Sequence, residues 1–101
     1  MKYIVLAGEI YYPNGASDIR GMAGTLDECL QLGILALDNE YKKDMSPAQI
    51  ILYPIDYTDY WIEAYEIATG KIISWMYYDD KWRLTDEADG GGADFLDIGS
   101  T

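Results

Sequence analysis

The chain has 101 residues, half of them hydrophobic, and a formal net charge of −11 from 18 acidic and 7 basic residues. This length supports one hydrophobic core, and the apolar content excludes a wholly disordered chain. Clusters of Lys and Arg, which contact phosphate backbones and anionic membranes, are missing, so direct binding to nucleic acid or to a membrane is disfavoured.

Residues 3–12 are rich in β-branched side chains and are predicted to form a central, mostly buried strand. Residues 12–15 read YPNG, which is typical of a turn, because Pro presets one backbone angle and Asn-Gly tolerates positive ones. Glycines make residues 13–24 a predicted loop, with a short strand around residues 19–22.

The helix predicted at about 25–43 begins with a capping box, in which Thr25 is the N-cap and Glu28 reaches back. Its apolar residues recur at helical spacing and form one stripe that includes Cys29, Gly33 and Leu37. The next segment is open to two interpretations, because residues 46–49 are typical either of a short helical turn or of the approach to a strand at 50–53.

Residues 58–78 are predicted to form a β-hairpin that turns at the sequence ATGK, residues 68–71. A three-residue loop closed by a bulge at the glycine would place Tyr65 opposite Ile73, Glu63 opposite Trp75 and Trp61 opposite Tyr77. A second turn at 79–81 leads into a short final strand at 82–84.

These elements predict an α+β fold, an antiparallel sheet of four to five strands with the long helix packed on one face. We expect residues 1–85 to form a single domain and residues 86–101, which are acidic and glycine-rich, to form a tail. One helix cannot cover both faces of the sheet, so one face is expected to remain for a partner. It carries either Trp61, Tyr65, Ile73, Trp75 and Tyr77, or Tyr60, Ile62, Ile72, Met76 and Tyr78. The predicted partner-binding residues are four aromatic anchors and five steering carboxylates, namely Trp61, Tyr65, Trp75, Tyr77, Asp56, Asp59, Glu63, Asp79 and Asp80.

The composition also limits the chemistry that the chain can perform. It contains no His and one Cys, Cys29, so a disulfide within the chain, a thiolate metal cage and the commonest general base are excluded. No nucleophile motif is present, and we therefore expect a protein that is not an enzyme and that holds neither cofactor nor metal. No apolar run is long enough to cross a bilayer and the N-terminal segment is not typical of a signal peptide, so the expected location is cytoplasmic.

The loop before the helix offers an alternative site. Asn14, Gly15, Asp18 and Arg20 lie in a glycine-rich loop that ends at a helix N-terminus, where backbone N–H groups can hold an anion. This pattern is the basis of an alternative function, a small-ligand sponge that binds a nucleotide signal.

The first strand and its turn, the capped helix and the Thr-Gly hairpin together resemble small acidic proteins of phages and mobile elements. The positions that carry the resemblance are Tyr12, Pro13, Gly15, Asp18, Gly21, Thr25, Glu28, Thr69 and Gly70. No defined activity comes with this resemblance, but it implies an accessory protein of the kind that blocks host defences.

Charge, surplus aromatic residues and this resemblance together predict an acidic interaction protein. It would bind a basic host protein, as an anti-defence inhibitor does, and spaced carboxylates could act by nucleic-acid mimicry. A third hypothesis is a structural or assembly protein whose aromatic face is buried in a homo-oligomer.

Overall fold

The computed structural model describes residues 1–11 and 15–85, and the predicted tail at 86–101 lies outside the described residues, as does most of the turn at 12–15. The described strands are β1 (Tyr3–Glu9), β2 (Ile19–Ala23), β3 (Tyr60–Glu66), β4 (Ile72–Tyr78) and β5 (Lys81–Thr85). The described helices are α1 (Leu26–Lys42) and α2 (Pro47–Leu52), with 3-10 turns at Gly15–Asp18 and Tyr57–Asp59.

The strands form an antiparallel sheet in the order β2-β1-β3-β4-β5. The predicted α+β class is therefore confirmed for the described residues: the sheet has five strands there, and α1 is the long helix. The short strands expected near residues 19–22 and 82–84 are present as β2 and β5.

The core lies between α1 and one face of the sheet. Side chains of alternate residues in β1 and β3 point towards α1, and Val5, Ala7, Ile62 and Ala64 are fully buried there. Gly33 of α1 is the point of closest approach, since a Cβ at this position would lie 2.7 Å from Cγ2 of Ile62. The missing side chain thus allows the helix to pack directly on β3.

Both helix starts are capped by side chains. The Thr25 hydroxyl accepts a hydrogen bond from the Glu28 N–H at 3.1 Å, which confirms Thr25 as N-cap. The Glu28 carboxylate accepts from the N–H of Gly24, one residue before the N-cap. Ser46 and Gln49 form a complete capping box at the start of α2, which ends at Leu52. Residues 50–52 are therefore helical, and the strand interpretation of residues 50–53 is wrong for these three residues.

The predicted register of the β3–β4 hairpin is wrong by one residue. Tyr65 pairs with Ile72 and Trp61 with Met76, so the loop holds four residues instead of three. The Gly70 N–H donates to the carbonyl oxygen of Glu66 at 2.8 Å, and the Lys71 N–H donates to the Thr69 hydroxyl at 3.2 Å. In a three-residue loop the Lys71 N–H would bond to a backbone carbonyl. Here the Thr69 hydroxyl accepts that hydrogen bond instead, which stabilises the longer loop.

We predict that Gly33→Ala destabilises the fold by about 1–2 kcal/mol. Alanine raises helix propensity by about 1 kcal/mol, but the added methyl group would lie 2.7 and 2.9 Å from two carbon atoms of the fully buried Ile62, and overpacking as close as this costs about 2–3 kcal/mol. Urea unfolding measures the difference. Gly24→Ala is the matched control, because its Cβ would make only an ordinary contact of 3.5 Å with Glu28. Equal stability of the two variants would contradict the close approach of α1 to β3.

Candidate functional site

The sheet face opposite α1 is largely apolar. The described helix that packs on the sheet, α1, lies against the other face, where the buried core residues cluster. We call this second face the open face. The strand registers assign to it the side chains of Ile4, Leu6, Ile19, Met22, Trp61, Glu63, Tyr65, Ile72, Ser74, Met76, Tyr78, Lys81, Arg83 and Thr85.

A shallow depression of about 230 Å³ lies on the open face, across β2, β1, β3 and β4. Its wall is apolar except for Glu63, whose carboxylate is on the central strand β3. An apolar side chain of a partner could enter it while a cationic group reached Glu63. The lining residues are Ile4, Leu6, Ile19, Glu63, Tyr65 and Ile72.

The structure separates the predicted aromatic anchors. Trp61 and Tyr65 lie on the open face, and the Trp61 indole N–H donates to the Glu9 carbonyl at 3.1 Å. Trp75 instead pairs with Ile62 on the helix side and is 5% exposed, so it is not available to a partner. The change of register by one residue causes this correction, because it moves every side chain of β4 to the other face relative to β3.

Tyr77 also lies on the helix side, in a cluster of three aromatic rings. Its ring centroid is 5.2 Å from that of Tyr57 and 5.4 Å from that of Trp82. The Tyr57 hydroxyl donates to the Asp38 carboxylate of α1 at 2.5 Å. The cluster thus joins the 3-10 turn at Tyr57–Asp59 to the sheet and to α1, and Tyr77 contributes to the fold and not to the open face.

The predicted steering carboxylates gather at one end of the sheet, where β1 and β4 finish and β3 begins. Asp56 and Asp59 precede β3, and Asp79 and Asp80 follow β4. All four are exposed. Hydrogen bonds from the side-chain hydroxyl and the backbone N–H of Thr58 lower the pKa of Asp56. Together with Glu63, these carboxylates outnumber Lys81 and Arg83, the two basic residues that β5 places on the same part of the open face, so the charge beside the apolar surface is negative.

A separate polar pocket of about 180 Å³ lies on the helix side, and it contains two of the predicted ligand-binding residues, Asp18 and Arg20. Gly15 is exposed at the start of the first 3-10 turn, and Asn14 lies outside the described residues. The pocket is lined by Gly8, Glu9, Asp18, Arg20, Leu37, Glu40, Tyr41 and Tyr60. It is lined by residues of β1, β2, β3, α1 and the 3-10 turn Gly15–Asp18.

Hydrogen bonds fix the guanidinium group of Arg20 within this pocket. Its Nε donates to the Ala7 carbonyl at 2.9 Å and its Nη2 donates to Oε1 of Glu40 at 2.7 Å. The pKa of Tyr60 is raised, first by burial and then by the charges of nearby groups, among them Glu9 and Glu40. The Tyr41 hydroxyl donates to the Tyr53 carbonyl at 3.0 Å, which holds the end of α1 against the chain that follows α2.

One apolar surface was missed from the sequence. Ile51, Leu52 and Tyr53 at the end of α2 are all exposed, Ile51 to 80%. The signal was present in the capping box of Ser46 and Gln49, which marks a helix start, and in Pro54, which limits the helix to about six residues, too few to bury a full apolar side. These residues form a second apolar patch apart from the open face.

Cys29 is fully buried, and burial followed by the nearby charge of Glu28 raises the pKa of its thiol, which opposes a nucleophilic role. Within residues 1–11 and 15–85, no group of three or more Cys, Asp or Glu side chains is arranged to hold a metal ion. No helix in these residues is long and apolar enough to span a membrane.

Comparison with known proteins gives no relative. No protein-family model matches the chain, and neither the curated proteins nor the solved structures contain a match.

We predict that Tyr57→Phe lowers the stability at neutral pH by about 1 kcal/mol, because the half-buried Asp38 carboxylate loses a hydrogen bond. Tyr11→Phe, at an exposed position, is the matched control and should have no effect. Urea unfolding at pH 7 measures both variants. An equal loss of stability in the two variants would contradict a stabilising role of the Tyr57–Asp38 hydrogen bond.

The same variant tests the titration of Tyr57. Burial, the hydrogen bond to Asp38 and the Asp38 charge raise the pKa of Tyr57 in the folded protein above its ordinary value of about 10. A raised pKa contributes stability that is complete below about pH 10 and that is lost as the pH rises further. The difference in unfolding free energy between the natural chain and Tyr57→Phe should therefore be constant from neutral pH to about pH 9 and shrink above pH 10.

Proposed function

We propose that this protein is a non-enzymatic interaction protein whose open face binds a basic partner protein. The observation that carries the proposal is the apolar depression on the open face, with Glu63 as the charged group in its wall. An apolar side chain of the partner enters the depression, and a Lys or Arg beside it pairs with Glu63.

Exposure of the open face supports this choice of surface. Ile19, Met22, Tyr65 and Ile72 are each more than one third exposed, and Ile4 and Leu6 of β1 connect the residues of β2 to those of β3 and β4. Single exposed apolar residues are common on protein surfaces, whereas a contiguous patch is characteristic of an interaction site. Trp61 and Tyr65 supply the aromatic contact area that dominates many binding interfaces.

Charge supports the choice of partner. The chain has a net charge of −11, and Asp56, Asp59, Asp79 and Asp80 gather at the sheet end that borders Trp61 and Tyr78 of the open face. Long-range attraction of this sign speeds encounter with a basic protein and discriminates against acidic ones. The partner in this proposal is therefore a protein with a basic surface around an exposed apolar side chain.

The resemblance to small acidic proteins of phages and mobile elements indicates a biological role for this binding. An accessory protein that occupies the basic surface of a host defence factor would inhibit that factor without any chemistry of its own. Inhibition of such a factor, with carboxylates in the place of phosphates, is the biological role that we propose.

A capture experiment with surface variants tests the proposal. The tagged full chain is used to capture proteins from a bacterial lysate, and Ile72→Ser is expected to reduce recovery of the specific partner at least about fivefold. Ile72 is 46% exposed, so the serine should not affect folding. The captured protein should be basic and should be released as salt rises from about 0.05 M to about 0.5 M, because salt screens the attraction.

Two further variants make the result specific. Leu35→Ser removes a similarly exposed side chain from α1, 57% exposed, and should leave capture unchanged. Ile51→Ser tests the second apolar patch on α2. Loss of the partner with Ile51→Ser but not with Ile72→Ser would move the interface to α2 and overturn the proposal. Binding that does not weaken as salt rises would also overturn the proposal. The same holds if sedimentation shows a dimer of the chain and Ile72→Ser dissociates it.

A further inference from the structure

We propose that the polar pocket on the helix side is a binding site for an organic cation, an alkylammonium or guanidinium group. The pocket is on the other side of the sheet from the open face, so this inference does not depend on the proposed partner surface. It is distinct from the nucleotide-binding hypothesis as well, because it assigns a ligand of the opposite charge to Asp18 and Arg20.

The size of the pocket suits such a group. Its volume is about 180 Å³. For comparison, an engineered cavity of about 150 Å³ accepts benzene. A methylguanidinium ion or the end of a lysine side chain is of this size. Leu37 and the rings of Tyr41 and Tyr60 supply apolar and aromatic wall, against which the carbon atoms of the ligand can pack.

The charge of the lining selects a cation. Three carboxylates, those of Glu9, Asp18 and Glu40, and one guanidinium group, that of Arg20, line the pocket. The carboxylates exceed the guanidinium group by two, so the pocket favours a cation even though Arg20 repels it. A nucleotide phosphate would meet the same excess of negative charge, which opposes its entry.

The geometry holds these groups in place before a ligand arrives. Asp18 is 3% exposed and lies below Gly8, where a Cβ would come within 2.7 Å of its Oδ1. Arg20 is held by Ala7 and by Glu40, as described above, so its guanidinium group is turned towards α1. Preorganised groups of this kind lose little conformational entropy on binding.

The rings add a second source of attraction. A cation over the face of a tyrosine ring is stabilised by the electrons of the ring, most strongly where water is partly excluded. Burial and nearby negative charges, among them those of Glu9 and Glu40, raise the pKa of Tyr60, as expected for a ring in a partly dry, negatively charged pocket. Its neutral hydroxyl can donate or accept a hydrogen bond.

A pair of ligands with nearly the same shape tests the proposal. The isotope-labelled full chain is titrated at constant ionic strength with methylguanidinium chloride and, separately, with neutral methylurea. We expect saturable shifts at the amides of Gly8, Glu9, Tyr41 and Tyr60 with methylguanidinium and no saturation with methylurea. Equal binding of the two would overturn the proposal, and so would saturable binding of inorganic phosphate at the same residues.

Variants show whether the carboxylates of the pocket are responsible for the binding of methylguanidinium. Glu9 is exposed at the end of β1, so Glu9→Gln should fold normally and weaken methylguanidinium binding about threefold or more. Asp27→Asn makes the same change of charge near the opposite end of α1, beyond the screening length, and should have no effect. Glu40→Gln is a second variant for the pocket. Unchanged affinity in both pocket variants would contradict the inference.

A last comparison identifies the source of the cation. A capped tripeptide with Arg at its centre is titrated beside butylammonium and methylguanidinium. Tighter binding of the peptide by about tenfold would assign the pocket to a side chain of a protein. Tighter binding of a free amine would assign it to a small molecule. Both results support a cation site, and failure of all three ligands to bind would overturn it, whatever the outcome for the open face.

Discussion

The contact between Gly33 of α1 and Ile62 of β3 determines which face of the sheet is buried. Because Gly33 has no side chain, the helix comes close enough to enclose Ile62, Val5 and Leu37 almost completely. One helix covers about one face of a sheet, and among the described residues α1 is the long helix that does so. The open face is the direct consequence, and so is the need for any partner to approach from that side.

The register of the β3–β4 hairpin then decides which aromatic residues remain outside. With Tyr65 opposite Ile72, Trp75 joins Ile62 and Ala64 on the helix side, while Trp61 and Tyr65 stay on the open face. Tyr77 is brought to Tyr57 and Trp82 by the same change. Two of the four predicted anchors therefore remain on the open face, where Tyr78 is a third aromatic residue, among apolar side chains from β1, β2 and β4.

The two proposed sites use opposite sides of the sheet and share one physical basis, an excess of carboxylates next to apolar or aromatic atoms. On the open face a single carboxylate, Glu63, lies in an apolar wall. In the polar pocket three carboxylates outnumber Arg20. A cationic group is attracted to both, although the open face fits a protein surface and the pocket fits a group of the size of a guanidinium ion.

The sequence by itself determined the class of the fold, the capped start of α1, the positions of the short strands and the sign of the charge. These features depend on neighbours in the chain: the spacing of apolar residues, Thr25 with Glu28, and the count of carboxylates. Only the tertiary structure decided the hairpin register, because a shift of one residue changes which side chains of β4 are buried, and in the folded chain Trp75 is buried opposite Ile62. The pocket likewise required the folded chain, since it brings Asp18, Glu40 and Tyr60 together from segments about 20 residues apart in sequence.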